Sequence, residues 1–361
     1  MKLGLLYSLL FLLSFHVFAK NNSAYEDALN SFNVADYDAS IIHLKNALKA
    51  QPDHLPSIVL FAENLLAKGE SEQAELLLDD AKQQGADNSR LLPLFARTYL
   101  MQQRYNDVLA LITPHNANSR YQSEMLTFNG LAFLGKSEYA ESEQVLQQAL
   151  KISPINSNAM FAFAKLDLKR NNIPAAKNWI DKALSLAPDH KQILITAAII
   201  YKKNNDVAQA LSLVERLLVL EPDNYNGLLI RSILLTDQGK HQEALNDINK
   251  IIEVIPNEPV TNYVKSLSSL SLGDKESYKN ANEHLKNIIN GLPEALIEQQ
   301  PIYLFIDGVV NFRQNLMEKA DDSLTQYNKK LPKDVTAIKL LARTKLALGS
   351  YGAAQKLLRK V

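Results

Sequence analysis

In this 361-residue chain the residue types able to do chemistry are seven histidines, the aspartate pairs Asp79, Asp80 and Asp321, Asp322, and the run Gly349, Ser350, Tyr351, Gly352. None of them is spaced for it. A helical zinc hydrolase needs two histidines four residues apart, with a glutamate beside the first, so that both imidazoles share one helix face. His43, His190 and His241 each stand alone. A nucleophile elbow needs glycine, serine and glycine at alternate positions after a strand, and the run at 349–352 has neither. The aspartate pairs fall on outer helix faces, and no glycine-rich phosphate loop occurs. The residues therefore predict no enzyme, no cofactor and no metal site, which leaves binding surface as the place for function.

Composition narrows the partners. The chain has no cysteine, so it can carry no disulfide, thiol nucleophile, cysteine-type zinc site or lipidated N-terminal cysteine. Lysine plus arginine and aspartate plus glutamate stand at 39 each, without the basic surplus of nucleic-acid binders. Protein partners are expected, and nucleic acid is not.

The elements that must present such a surface are legible in one register. Stepping 34 residues from Ala28 gives Ala62, Ala96, Gly130, Ala164, Ala198, Ser232 and Ser266, and after one step longer by eight the series resumes at Gly308 and Ala342. A fixed period is the signature of a repeat array. Twelve residues after each comes a second small residue, at Ser40, Ala74, Ser142, Ala176, Ala210, Ala244, Ala320 and Ala354, with Val108 and Tyr278 as exceptions. Two helices meet at each such pair. Between them stand Gly69, Asn171, Asn205, Gly239, Gly273, Asn315 and Gly349, types that tolerate the left-handed turn ending a helix. Pro52, Pro154, Pro188, Pro222, Pro256 and Pro332 close the second helix, since proline cannot continue one.

This period and these columns resemble the tetratricopeptide repeat, a helix-turn-helix unit. The fold class expected is all-α, a right-handed superhelix or α-solenoid, with about ten repeats over residues 20–361, the last lacking a cap. In such arrays the first helix of every repeat lines the concave side. Counting the small residue as position 8, positions 2, 5, 9 and 12 face that groove. The resemblance thus implies a partly apolar groove lined by Phe161, Tyr263 and Phe305, with isolated cations at Arg90, Arg97, Lys165 and Lys202, suited to an extended or helical protein segment. No repeat pairs lysine at position 5 with asparagine at position 9, the pair that clamps a C-terminal carboxylate.

Two breaks interrupt the register. The repeat at Ala96 has the turn-rich stretch 113–119 where its closing proline would be, which predicts a shortened second helix. The eight extra residues fall between Ser266 and Gly308, split between a late Ala281 and the segment 291–301, which predicts longer helices or a longer connection. Ahead of the array, Lys2, the apolar run Leu3 to Leu13 and then Val17, Phe18, Ala19 read as a signal peptide over residues 1–19. That run is short for spanning ~30 Å of hydrocarbon, so any membrane association is expected to be indirect or through this segment if uncleaved.

Three stretches, YEDALNSFNVADYDASIIHLKNALKAQPDH at 25–54, LLPLFARTYLMQQRYNDVLALI at 91–112 and DVTAIKLLARTKLALGSYGAAQKLL at 334–358, resemble the tetratricopeptide lipoproteins associated with PEP-CTERM and exosortase systems. The resemblance implies a scaffold of the Gram-negative envelope linked to exopolysaccharide production and to sorting of proteins with a C-terminal anchor. Those lipoproteins have a cysteine at the cleavage site where this chain has Phe18, Ala19, Lys20, so a soluble periplasmic protein is expected. The alternative in the same class is an assembly factor for pili or outer-membrane proteins.

Overall fold

The computed structural model describes residues 23–111 and 121–359. The expected leader at 1–19 and the stretch 113–119 lie outside the described residues. Contacts divide the chain into two compact units, one up to Pro188 and one from Asp189. The first holds α1 (23–33), α2 (Tyr37–Ala50), α3 (Leu55–Lys68), α4 (Ser71–Gln83), α5 (Asn88–Met101), α6 (Tyr105–Leu111), α7 (Gln122–Gly135), α8 (Tyr139–Ile152), α9 (Ser157–Lys169) and α10 (Ile173–Leu186). The second holds α11 (Lys191–Lys203), α12 (Val207–Leu220), α13 (Tyr225–Asp237), α14 (His241–Val254), α15 (Pro259–Ser271), α16 (Lys275–Asn290), α17 (Glu294–Gln299), α18 (Pro301–Arg313), α19 (Met317–Lys330), α20 (Val335–Ala347) and α21 (Tyr351–Leu358). No strand occurs among the described residues. The architecture is the all-α tetratricopeptide fold, and no helix among the described residues is long and apolar enough to cross a membrane.

The small residues do what their spacing demands. All ten of the first column are buried, each in the middle of a first helix where the second helix crosses. Close approach lets hydroxyls reach across: Ser40 Oγ donates to the Ala28 carbonyl at 2.8 Å and Ser142 Oγ to the Gly130 carbonyl at 2.7 Å. At Gly130 a β-carbon would stand 2.5 Å from the Leu146 side chain, and at Gly308 2.5 Å from that of Leu324. First helices begin under side-chain caps where the sequence offers them, Asn156 accepting from the Ala159 amide at 3.0 Å and Asn224 from that of Gly227 at 2.9 Å, which satisfies donors the helix leaves free.

The turn column extends beyond the residue types that announce it. Besides the seven glycines and asparagines, Ala35 (φ 61°), Gln103 (φ 58°) and Ser137 (φ 63°) are left-handed at the same register position. There the backbone closes the helix with paired reverse bonds, as where Gln103 N donates to Leu100 O at 3.1 Å and Arg104 N to Tyr99 O at 2.8 Å. An L side chain in this conformation costs about 1–2 kcal/mol. Gln103→Gly is therefore expected to stabilise the protein by about 0.5–1 kcal/mol, read as a higher urea midpoint; an unchanged or lower midpoint would mean the glutamine side chain compensates the strain.

The eight-residue excess is spent in both ways the sequence allows. Helix α16 runs 16 residues where its counterparts α12 and α14 run 14, and the short α17 is inserted before α18. The buried face of α16 begins three residues later than in those helices, so that Ala281, not Tyr278, takes the small-residue place one turn before Leu285.

Within each unit the first helices form a layer of their own. Helix α3 touches α5, α5 touches α7 and α7 touches α9; in the second unit α11 touches α13, α13 touches α15, α15 touches α18 and α18 touches α20. Among the described residues α4, α6, α8 and α10 make no such contacts with one another. The first helices thus pack in one layer in each unit, and the exposed side of that layer is the face that the tetratricopeptide resemblance assigns to the inside of the superhelix, the inner face.

Candidate functional site

In the first unit, the inner face carries charge that alternates helix by helix. Glu63 lies on α3, Arg90 and Arg97 on α5, Glu124 on α7, and Phe161 with Lys165 on α9. Side chains at positions 2, 5 and 9 share a face because those offsets fit the helical period. Among the described residues none of these five ionic groups is in an ion pair within 4.0 Å. The Arg97 guanidinium donates to the Leu66 carbonyl at 3.3 Å, and the Lys165 ammonium stands 5.5 Å from the centroid of the Phe161 ring, one turn back.

Glu63, Glu124 and Lys165 sit partly out of water without direct counter-ions. Burial holds the Glu63 carboxyl above the ordinary carboxylate value, and the charges of Arg90 and Arg97 draw it part of the way back. Burial alone raises Glu124, and burial, then the neighbouring Lys169, lowers Lys165. Arg97 is solvent-exposed, yet surrounding protein pushes its guanidinium below the usual arginine value. Ionic groups held this way are candidates for ligand contact, because a ligand of opposite charge offsets their desolvation.

The sequence-predicted residues divide between the two units. Arg90, Arg97, Phe161 and Lys165 come together on the first unit's inner face. Lys202, Tyr263 and Phe305 belong to the second unit, and two of them correct the expectation. Lys202 is no isolated cation: its ammonium pairs with Asp237 at 3.1 Å, on the next first helix. Phe305 is core, 9% exposed, with Tyr327 at 5.4 Å and Tyr263 at 6.2 Å between ring centroids; Val59, Thr127 and Ile195 at the same register position are buried as well, because this position packs between neighbouring helices. Tyr263 is half-buried against the same cluster, with the Arg313 guanidinium 6.0 Å from its ring. Sequence reasoning missed Glu124. The signal was available, since Glu124 stands six residues before Gly130 as Arg90 stands six before Ala96.

Two tetratricopeptide-repeat family models match the chain, one over residues 35–97 and one over residues 195–258. The chain carries tetratricopeptide repeats. As such it is a scaffold for protein interaction, and proteins with these repeats are generally non-catalytic. Among solved structures it is similar to the human IFIT1 dimer with m7Gppp-AAAA, at 13% identity and a TM-score of 0.50 over 85% of this chain and 89% of that one. It is also similar to a tetratricopeptide-repeat protein from Parabacteroides merdae, at 15% identity and 0.49 over 80% and 98%. The type IV pilus biogenesis factor PilW matches at 16% identity and 0.47 over 61% and 96%. At such identities the likeness is one of fold alone. No curated protein is significantly similar to the repeat protein in sequence.

Proposed function

We propose that this repeat protein is a non-catalytic scaffold of the bacterial envelope, exported to the periplasm, where it serves exopolysaccharide production or the sorting of proteins with a C-terminal anchor. One observation carries the binding part of this reading: the first unit's inner face alternates acid and base across α3, α5, α7 and α9 with no internal ion pairs among the described residues to neutralise it. Packed helices stand roughly 8–10 Å apart, and an extended chain rises ~3.3 Å per residue. The partner that fits is an extended segment whose charges alternate about every three residues, with acids meeting Arg97 and Lys165 and bases meeting Glu63 and Glu124. A preformed face lowers the ordering cost of such a segment. The envelope part rests on the leader-like residues 1–19 and on the resemblance of the repeats to exosortase-system lipoproteins.

Reversing Arg97 and Lys165 together to glutamate is expected to remove partner capture while leaving the circular dichroism spectrum intact. The measurement is in-cell crosslinking of the tagged protein followed by mass spectrometry. Loss of polysaccharide-export or exosortase-system proteins in the double variant supports the reading. Capture unchanged by the variant counts against the inner face, and pilus or barrel-assembly proteins in the captured set would move the protein to that pathway.

A further inference from the structure

Away from the charged face, α8, α9 and α10 enclose an open hollow of ≈ 400 Å³, a volume in the range of small-ligand sites. Its apolar wall is Leu150, Phe163, Leu166 and Trp179, with the Phe163 and Trp179 rings stacked at 4.7 Å. The helical period puts these residues of α9 on the side opposite Phe161 and Lys165.

The hollow lies at a register position that is bulky in five of the other first helices and is Ser31, Ser269, Asn311 or Lys345 in the remaining four. Three residues after the small residue, five other first helices carry Leu65, Tyr99, Phe133, Tyr201 and Leu235, all bulky and at least half-buried. Helix α9 carries Asp167 there. The repeat of α5 shows how a ring fills the space. Its Tyr99 ring lies 5.9 Å from Phe95 and beneath the Arg104 guanidinium, 4.3 Å from the ring centroid, and Arg104 is itself held by Glu75 at 2.7 Å. Around Asp167 the same surroundings recur without the ring. Phe163 stands where Phe95 does, Glu143 where Glu75 does, and Arg170 reaches over to Glu143 at 2.8 Å. The Asp167 carboxylate forms no ion pair within 4.0 Å and no side-chain hydrogen bond among the described residues.

We infer that this hollow is a second contact site, which takes a tyrosine side chain from a partner protein: the ring fills the place of Tyr99 against Phe163, Leu166 and Trp179, and the phenol hydroxyl donates to the Asp167 carboxylate. A purely apolar ring would bury that carboxylate without a partner, which is expensive. A cationic side chain is disfavoured, because Lys151 and Arg170 line the hollow, its other acid Glu143 is already paired with Arg170, and the Lys182 ammonium stands 4.5 Å from the Trp179 ring. Burial already raises Asp167 above the ordinary carboxylate value, consistent with an acceptor short of donors. The site is independent of the charged inner face, so either can fail alone.

Trp179 is the one tryptophan of the sequence, which makes its fluorescence a direct probe when excited where tyrosine does not absorb. Titration of the full chain with N-acetyl-tyrosinamide is expected to give a saturable change. N-acetyl-phenylalaninamide should bind at least roughly tenfold more weakly, the worth of one hydrogen bond to a charged acceptor. Asp167→Tyr, which refills the hole with the chain's own ring, should abolish the response. Should that variant misfold, Asp167→Leu, a residue the column tolerates at Leu65 and Leu235, serves the same purpose. Equal responses to the two probes, a response that survives either substitution, or no saturable response to the tyrosine probe would each overturn the inference.

Discussion

Replacing Arg231 with leucine is expected to cost about 3–5 kcal/mol, while replacing its partner Asp247 with leucine costs less, about 1–3 kcal/mol. The two side chains form a forked pair, Arg231 Nε to Asp247 Oδ2 at 2.7 Å and Nη2 to Oδ1 at 2.6 Å. The asymmetry follows from burial. Asp247 is 4% exposed and on losing Arg231 would keep a carboxylate with no water and no cation. Arg231 is only half-buried, and the charges of Glu215 and Glu243 act on it as well as that of Asp247, so it can turn outward to them. The same two register positions are held by Phe61 with Leu77, by Phe95 with Leu111, by Leu341 with Leu357, and by the stacked Phe163 and Trp179. Because this site accepts apolar pairs elsewhere, the double variant Arg231→Leu, Asp247→Leu should recover most of the loss. Stability in a repeat array is a sum over neighbouring units, so hydrogen exchange of the α13 and α14 amides is the proper reading. Equal, small losses in both single variants would show that the pair is solvated and of little consequence.

That position also shows why the fold was legible and the site less so. Burial of the small column depends on one property, size, repeated at one period, and Ala28 through Ala342 obey it without exception. The left-handed turns follow the period even where residue type argues otherwise: Ala35, Gln103 and Ser137 adopt φ near +60° because the two helices they join are fixed by packing on either side. Types alone would have missed them; register would not. Functional residues have no such redundancy. Arg97 and Lys165 were placed on the inner face by counting, but counting could not tell that Lys202 has Asp237 within reach on the neighbouring helix. Asp167 shares its register position with both bulky and polar residues, so the sequence did not single it out, and its meaning came from seeing Tyr99 under Arg104 in another repeat.

Phe305 tests where counting fails. Its register position assigns it to the binding face along with Phe161, and on that reading truncation to alanine would cost little stability. The structure places it in the core, and Phe305→Ala is expected to cost about 3–5 kcal/mol, the usual price of deleting a buried ring. Its neighbour Tyr327 is fully packed, with burial and Asp334 both raising its hydroxyl above the usual tyrosine value. That hydroxyl donates to Asp334 Oδ2 at 2.7 Å, while Oδ1 of the same residue accepts from the Ala337 amide at 3.0 Å and so caps α20. Removing the Phe305 ring leaves Tyr327 free to shift, and the shift is passed through Asp334 to the first turn of α20. Hydrogen exchange in that first turn should therefore quicken along with exchange in α18 and α19. Phe161→Ala, on a half-exposed ring that touches Lys165, is the comparison, expected to cost no more than about 1 kcal/mol. Losses of equal size at the two positions would mean that α18 is held without Phe305, and would return that residue to the binding face.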